Sequence, residues 1–244
     1  LTDAFSNVPM GITAEKIAEK YDVTREQQDK FANDSHQKAH QATEAGKFDN
    51  EIVPLKDVNG EWMTSDEGIR GNTSIEKLAT LKTIFKENGT VTGGNASSIN
   101  DGGSTIILMD AAYAKEQGYE ILALLGEHAE IGCDPDYMGY APYHAVTKLL
   151  DKTGKHIDDI DVVEMTEAFA SQSIPVRDNL GIAEEKLNLY GGAIALGHPI
   201  GATGTRLVTT LVNVLSQEDK QNGIATACIG GGLGIALEIE KGHK

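Results

Sequence analysis

Apolar residues in the first part of the chain recur at the spacing of amphipathic helices. Ile17 and Ala18 follow Ala14 by three and four positions, and Tyr21 follows Ala18 by three and Ile17 by four. Thr13 precedes them as a candidate cap. Polar residues fill the positions between them, so one face of this predicted helix would be buried and the other would meet water.

Two further signals mark helix starts. Thr24 with Gln27 three positions later has the pattern of a capping box, and it predicts a helix that stops at Gly46. Thr73 with Glu76 repeats the pattern and predicts a helix through residues 78 to 85. This helix-rich, polar part of the chain favours a separate lobe.

From residue 104 onward, apolar runs alternate with helical patterns. The predicted strands are residues 104–110, 120–132, 162–165, 193–196, 224–228 and 234–239, and the predicted helices are residues 111–118, 145–152, 169–180 and 207–215. Strands that alternate with helices favour an α/β fold in which helices cover a mixed sheet.

His198 lies in the glycine-rich segment GGAIALGHPIGATGTR (residues 191–206). A predicted strand leads to it, and Gly201 and Gly204 open the helix that follows. Exposed backbone N–H groups at a helix start disfavour a second positive charge, so the imidazole should be neutral near pH 7. A neutral ring can take a proton or hydrogen-bond a developing oxyanion.

Cys228 opens the segment CIGGGLG (residues 228–234), directly after a buried apolar run. On composition alone, a lone cysteine is more often a small buried apolar residue than a reactive one. The three glycines change this balance, because they let backbone N–H groups approach a substrate. Cys133 has no such setting, and we interpret it as structural.

The composition limits the classes of function. The net charge of −16 argues against nucleic acid or an anionic membrane as a partner, since no basic stripe is present to neutralise phosphates. Two cysteines make no disulfide framework, and the cytoplasm is the expected location. His36 and His40 have the spacing of a metal pair, but Gln37 replaces the glutamate of a zinc protease. We therefore expect a solvated helix face and no metal.

Four motifs in the same order resemble those of the thiolases, the acyltransferases that make or split 3-ketoacyl-CoA. They are GNASS (residues 94–98), TEAFA (residues 166–170) and the two segments around His198 and Cys228. The resemblance implies a thiolase fold, with a mixed five-stranded sheet under covering helices and a helix-rich loop lobe.

The resemblance also implies a division of the chain. Residues 1–99 would be the loop lobe that contacts coenzyme A, residues 100–118 the last strand and helix of the N-terminal half, and residues 119–244 the C-terminal half. On this interpretation the half that bears the acyl-accepting cysteine is absent. We therefore expect that the chain binds its own N-terminal half and is inactive alone.

Catalytic roles are implied by the resemblance for four residues. His198 would act as a base and as a donor to one oxyanion hole, and Cys228 would move the α-proton of the second acetyl-CoA. The backbone N–H of Gly230 would serve the other oxyanion hole. Thr166 stands where the family usually has an asparagine that holds a catalytic water, and a hydroxyl offers one donor where an amide offers two.

Contacts with the substrate are implied for seven further residues, of which Met138 would narrow the acyl pocket. The others are Met10, Arg70, Phe85, Ser97, Ala168 and Phe169. The implied function is that of an acetyl-CoA C-acetyltransferase, which interconverts two acetyl-CoA with acetoacetyl-CoA and coenzyme A. The alternatives are a degradative 3-ketoacyl-CoA thiolase of broader range and a non-catalytic relative that binds acyl-CoA or lipid. Coenzyme A thioesters would be substrates, no cofactor would be bound permanently, and the assembly would be a homodimer or homotetramer.

Overall fold

The computed structural model describes residues 1–242. The α-helices are α1 (Met10–Lys20), α2 (Arg25–Glu44), α3 (Ile75–Ala79), α4 (Ala111–Gln117), α5 (Ala141–Thr153), α6 (Ala170–Leu180), α7 (Ala193–Leu196) and α8 (Thr203–Gln217). The strands are β1 (Leu55–Lys56), β2 (Trp62–Met63), β3 (Ala123–Gly132), β4 (Val162–Met165), β5 (Asn222–Ile229) and β6 (Leu233–Lys241). Short 3₁₀ turns lie at Pro135–Tyr140, Ile157–Asp159 and Glu184–Lys186.

The main sheet is mixed, with its strands in the order β3-β6-β5-β4. β6 pairs antiparallel with both β3 and β5, and β5 runs parallel to β4. In the described residues this sheet has four strands rather than the five that we expected. β1 and β2 form a separate antiparallel hairpin.

Helices cover both faces of the main sheet. β4 is buried along its whole length, as expected for a strand with protein on each side. Val163 and Met165 belong to a core that α5 and α6 share, while Val162 belongs to a second core that α8 shares. The carboxyl ends of β4 and β5 lie side by side, because the two strands are parallel neighbours. Thr166 and Cys228 are therefore brought to the same edge.

The segment of residues 104–110 differs from its prediction, because it forms no strand. Ile107 and Leu108 are exposed, and Asp110 caps α4 by accepting two backbone N–H groups of the first helical turn. A strand needs a neighbour for its backbone N–H and C=O groups, and no described strand pairs with this segment. Its apolar composition alone was not sufficient evidence for a strand.

Three other local predictions need correction. α7 is a short helix where a strand was predicted, since a run of four apolar residues does not distinguish the two. α1 begins at Met10, so Thr13 lies inside the helix and donates its hydroxyl to the carbonyl of Met10 at 2.7 Å. α3 is capped by Ser74 rather than Thr73, and it is only 5 residues long.

The start and end of α2 agree with the prediction. The backbone N–H of Gln27 donates to Oγ1 of Thr24 at 3.2 Å, and the backbone N–H of Thr24 donates to Oε1 of Gln27 at 2.8 Å. Gly46 follows the helix with φ of 67°, a left-handed conformation that glycine adopts without strain. The capping box is confirmed.

The two histidines of α2 do not lie on a solvated face, which corrects that expectation. His36 is buried, and its Nδ1 accepts the backbone N–H of Arg70 at 3.2 Å. A Cβ on Gly71 would lie 2.4 Å from the ring of His40, so this loop packs closely on the helix. The described residues contain no group of three His, Cys, Asp or Glu side chains that could hold a metal ion. Within residues 1–242, no helix has the length and hydropathy needed to cross a membrane.

Candidate active site

His198 lies in the turn between α7 and α8, and the first residue of α8 holds its ring. Nδ1 of His198 lies 2.7 Å from Oγ1 of Thr203, and this hydroxyl donates to the carbonyl oxygen of Pro199 at 3.0 Å. Because the hydroxyl has a single proton, it accepts from the Nδ1–H group, and Nε2 carries no proton. The ring therefore presents a free basic nitrogen.

The charge state of His198 is set by its surroundings. Burial lowers the pKa of His198, and the positive charge of Arg206 lowers it further. A lowered pKa keeps the ring neutral near neutral pH, which the sequence predicted from its position before a helix. In the structure, burial is the larger cause.

GNASS and TEAFA lie beside each other. The backbone N–H and the hydroxyl of Ser97 both donate to the carbonyl oxygen of Ala168, at 3.0 and 3.1 Å. Ala96 forms an antiparallel bridge with Phe169. Two segments that are far apart in the sequence are thus joined into one surface.

The same loop continues to the histidine turn. Ile99 forms a parallel bridge with His198, and Oδ1 of Asn100 accepts the backbone N–H of His198 at 3.1 Å. Gly197 has φ of 98°, and a Cβ there would lie 2.6 Å from Oδ1 of Asn100. Glycine is therefore required for the loop to approach the histidine turn this closely.

Cys228 lies near the end of β5, where the hairpin turns toward β6. Gly231 and Gly232 have φ of 85° and 82°, and a Cβ on Gly232 would lie 2.3 Å from the carbonyl oxygen of Cys133. The turn beside Cys228 therefore depends on two left-handed glycines. Cys133 packs against the turn, and its backbone N–H donates to the carbonyl of Gly232 at 2.6 Å.

The side chain of Cys228 is partly buried. Burial raises the pKa of this thiol to about 12. Sγ donates to Oε1 of Gln172 at 3.9 Å, which is within the range of a sulfur hydrogen bond. A thiol with a raised pKa is mostly protonated near neutral pH, so it needs a group that stabilises the thiolate before it can act as a base.

Thr166 follows β4 directly and is fully buried. Its backbone N–H donates to the carbonyl oxygen of Thr226 at 3.1 Å, two positions before Cys228. Its Oγ1 is buried and has no hydrogen-bond partner among residues 1–242. An unpaired buried hydroxyl is unfavourable, so this oxygen is available to a water or a ligand.

Several predicted substrate contacts converge on this surface. The rings of Phe85 and Phe169 meet edge to face, with centroids 6.2 Å apart. A Cβ on Gly11 would lie 2.1 Å from the ring of Phe85, so the glycine of α1 makes room for this ring. Cε of Met10 lies 3.1 Å from the position of a Cβ on Gly230. Met10 therefore reaches the glycine turn beside the thiol.

Arg70 and Met138 are placed less directly. Arg70 is exposed, and its guanidinium donates to the carbonyl oxygen of Glu67 at 2.7 Å, within its own loop. Met138 is buried in the first 3₁₀ turn. Its neighbour Gly139 packs on Gln172, since a Cβ on Gly139 would lie 2.7 Å from Cβ of Gln172. Met138 is thus the neighbour of a residue that packs on Gln172, and Gln172 contacts Cys228. No described contact links Arg70 to Cys228.

Glu167 is a buried carboxylate whose role was not predicted from the sequence. It accepts the hydroxyl of Ser35 at 2.7 Å, the side-chain amide of Asn188 at 2.7 Å and the backbone N–H of Ile194 at 3.2 Å. Burial raises the pKa of Glu167, while these three donors act in the opposite direction. The carboxylate ties α2 and α7 to the TEAFA segment. A charged residue within an apolar motif was the available signal.

A second group of charged residues lies around Arg206, whose positive charge acts on His198. Glu164 on β4 is fully buried, and Nη1 of Arg206 lies 3.5 Å from its Oε2. Burial raises the pKa of Glu164 to about 8 and that of Glu51 to about 7. A cavity of about 210 Å³ extends from Arg206 to Pro199, next to the histidine. This group was not predicted from the sequence either, although a glutamate inside a buried strand is a signal for it.

Two family models match the chain. Residues 1–112 match the model described as thiolase, N-terminal domain, and residues 119–241 match the model described as thiolase, C-terminal domain. The chain belongs to the thiolase family. The predicted family and the thiolase fold are confirmed.

Individual thiolase relatives agree with this assignment. A probable acetyl-CoA acyltransferase of Staphylococcus aureus (strain COL) is 49% identical over 245 residues, and an acetyl-CoA acetyltransferase of Pseudomonas aeruginosa is 47% identical. Both alignments cover 99% of this chain, and the chain spans 62% of the length of these curated relatives.

Solved thiolase structures superpose closely on this chain. The crystal structure of the Bacillus anthracis acetyl-CoA acetyltransferase gives a TM-score of 0.96 at 42% identity. The crystal structure of human mitochondrial 3-ketoacyl-CoA thiolase gives a TM-score of 0.92 at 39% identity. Each superposition covers 99% of this chain and 62% of the other chain.

One expectation from the sequence is wrong. The chain was expected to be the C-terminal portion of a thiolase without the N-terminal half that bears the nucleophile, but the N-terminal domain model matches residues 1–112. The prediction of an inactive chain that binds its missing half rested on that expectation, so its basis is removed. The exact boundaries proposed at residues 99 and 118 stay a prediction, and residues 243 and 244 lie outside the described residues.

Proposed function

We propose that this thiolase acts as an acetyl-CoA C-acetyltransferase, which condenses two acetyl-CoA to acetoacetyl-CoA and coenzyme A and also catalyses the reverse thiolysis. The observation that carries the proposal is the convergence of the four motifs through the bridge from Ile99 to His198 and the pairing of Thr166 with Thr226 beside Cys228. The names of the relatives from Pseudomonas aeruginosa and Bacillus anthracis support this substrate class.

His198 has the proton chemistry that acyl transfer needs. Thr203 fixes the proton on Nδ1, so Nε2 can take the proton of the acyl-accepting thiol as its sulfur attacks the thioester carbon and displaces coenzyme A. In this proposal that thiol belongs to neither Cys133 nor Cys228. The protonated Nε2–H can then donate to the oxyanion that forms. Burial and Arg206 both favour the neutral ring before this step.

In this proposal, Cys228 transfers the α-proton of the second acetyl-CoA. Its thiolate removes a proton from the α-carbon of acetyl-CoA in condensation, and its thiol returns one in thiolysis. The backbone N–H of Gly230 donates to the carbonyl oxygen of that substrate. Thr166 holds a water for the other oxyanion hole with its unpaired hydroxyl.

A 3-ketoacyl-CoA thiolase of broader chain length is the second candidate, and the likeness to the human mitochondrial enzyme favours it. Rates of thiolysis with acetoacetyl-CoA and with its medium-chain and long-chain homologues separate the two. Under the first proposal the rate falls steeply beyond acetoacetyl-CoA, because the buried Met138 limits the acyl pocket.

The proposed enzyme binds its substrates through the contacts that the family resemblance implies. Coenzyme A thioesters bind as substrates and leave as products, with Met10, Arg70, Phe85, Ser97, Ala168 and Phe169 as contacts. No permanently bound cofactor takes part in the proposed steps. We place the enzyme in the cytoplasm as a homodimer or homotetramer, and light scattering after size-exclusion chromatography tests its assembly.

The two cysteines offer a matched test of the function. The enzyme is incubated with acetyl-CoA in deuterium oxide, and deuterium at the α-carbon is measured alongside thiolysis of acetoacetyl-CoA. Cys228→Ser should lower both rates at least about 10²-fold, the scale of general acid–base catalysis, because a hydroxyl is a far weaker acid than a thiol. Cys133→Ser should stay near the wild-type rates.

Two outcomes would overturn the proposal. Undiminished exchange in Cys228→Ser would remove this residue from proton transfer. A wild-type protein that binds acetyl-CoA without exchange or thiolysis would be the non-catalytic relative.

A further inference from the structure

Gln172 is a buried polar residue to which the proposed steps assign no role. It lies on α6 and is fully buried. Its Oε1 accepts from Sγ of Cys228 at 3.9 Å, while its Nε2 is buried without a hydrogen-bond partner among the described residues. An amide that touches the reactive sulfur thus keeps an unused donor beside it.

The stem of Gln172 is held firmly. A Cβ on Gly139 would lie 2.7 Å from Cβ of Gln172, so the 3₁₀ turn presses directly on this side chain. The backbone N–H of Gln172 donates to the carbonyl of Phe169 at 3.2 Å. The terminal torsion of a glutamine is broad and roughly two-fold, so the amide group can still exchange its oxygen and nitrogen positions.

Cys228 needs a donor when it loses its proton. Burial raises the pKa of Cys228 to about 12, and the neighbouring Cys133 raises it further, while its own backbone N–H lowers it. No cation is among the groups that shift this pKa within the described residues. A hydrogen bond from a neutral donor is the means that remains to stabilise a thiolate in this position.

We propose that Gln172 is a positioning residue whose side-chain amide turns with the protonation state of Cys228. Nε2 donates to the thiolate, and Oε1 accepts from the thiol. The inference rests on the proposed function, in which Cys228 moves the α-proton of acetyl-CoA.

The side-chain amide of Gln172 rotates when the proton moves to or from Cys228. When the thiolate removes the α-proton, an S–H bond forms, the C–H bond breaks, and its electron pair stays on the substrate as an enolate. The amide then presents Oε1 to the new thiol. Thiolysis reverses these steps. An amide suits both states, whereas a carboxylate at this position would accept only and would repel the thiolate.

Gln172→Met tests the inference, because methionine has a similar length and volume but no donor of this kind. The rate of alkylation of Cys228 by iodoacetamide is measured from pH 7 to pH 9.5 by mass spectrometry of the peptide that carries it. We expect at least about tenfold slower alkylation in the variant, the scale of losing a hydrogen bond to a charged group. The peptide with Cys133 serves as an internal control and should react at the wild-type rate.

Gln28→Met is the matched control variant. Gln28 is also fully buried, but its Nε2 donates to the carbonyl of Val23 and to Oγ1 of Thr90. Its loss should lower stability without slowing the alkylation of Cys228. In turnover, Gln172→Met should lower kcat for condensation and leave KM for acetyl-CoA near its wild-type value.

If Gln172→Met fails to fold, Gln172→Asn gives the same test, since it withdraws the amide from the sulfur by one methylene. Alkylation of Cys228 at the wild-type rate in a folded Gln172 variant would overturn the inference, whatever the turnover. The proposed function is judged separately, because its failure would appear as the absence of α-proton exchange in the wild-type enzyme.

Discussion

The hydroxyl of Thr166 is a single polar atom in a fully buried place. Its backbone is fixed by the hydrogen bond to Thr226, and its Oγ1 has no partner in the described part of the chain. A buried water can satisfy such a group where other polar atoms are within reach. The unpaired hydroxyl of Thr166 thus lowers the stability of the fold and is also able to hold a catalytic water.

Thr166→Val separates the structural and catalytic contributions of this hydroxyl. Valine keeps the shape and removes the hydroxyl, so kcat for thiolysis of acetoacetyl-CoA should fall about 10²-fold, the scale for loss of one oxyanion-hole donor. The melting temperature should stay equal or rise, because an unpaired buried polar group is lost. Thr166→Ser retains the hydroxyl and should keep most of the activity. A valine variant with wild-type kcat would show that the water is held elsewhere.

At the scale of elements, Glu167 joins three parts of the fold around the histidine turn. Ser35 comes from α2, Asn188 from the loop before α7, and Ile194 from α7 itself. Asn188 is fixed in turn, because its Oδ1 accepts the backbone N–H of Met165 at 2.8 Å. The carboxylate accepts every bond that reaches it, so its protonation or replacement would leave a donor facing a donor.

Glu167→Gln should therefore weaken this junction. One amide N–H would meet either Asn188 or Ile194, which lowers the free energy of unfolding by roughly 1–3 kcal/mol. kcat should fall as well, since α7 leads directly into His198. Urea denaturation measures the first effect, and steady-state thiolysis the second. Glu185→Gln is the control because Glu185 is exposed, and equal stability of the two variants would contradict the assigned role.

The sequence predicted elements well where local pattern was sufficient. The capping box of α2 and the buried runs of β4, β5 and β6 were recognised because their signals lie within a few residues. Residues 104–110 were predicted incorrectly, since a strand also depends on a neighbour that sequence pattern does not reveal.

The same limit applies to the candidate site. The turns of His198 and Cys228 were recognisable from their glycines. Asn100 and Gln172 were not, because Asn100 contacts His198 from 98 positions away and Gln172 contacts Cys228 from 56 positions away. Such contacts follow from the packing of α6, the GNASS loop and the sheet rather than from any local signal.

At the scale of the whole molecule, two interior carboxyl groups link stability to pH. Burial raises the pKa of Glu164 to about 8 and that of Glu51 to about 7, against an ordinary value of 4.5, although Arg206 opposes both shifts. The folded state therefore binds protons that the unfolded chain has released. The contribution of these groups to stability is complete below about pH 4.5 and is lost as the pH rises through 7 and 8.

Other carboxyl groups act in the opposite direction. Lys47 and Tyr190 hold the carboxylate of Glu218 by hydrogen bonds and lower its pKa, so its contribution is present above the ordinary value and is lost in acid. Stability should therefore be greatest at mildly acidic pH, between these two effects.

The last prediction measures the alkaline side of this profile. The free energy of unfolding, taken from urea titrations, should fall by at least about 1.4 kcal/mol between pH 6 and pH 9, the equivalent of one pKa unit. Glu164→Gln keeps an acceptor for Arg206 and cannot ionise, so its curve should be flatter and should lie above the wild-type curve at pH 9. Glu185→Gln changes the net charge equally at an exposed position and should retain the wild-type slope. Parallel curves for wild type and Glu164→Gln would show that Glu164 does not ionise in this range and that another group sets the pH dependence.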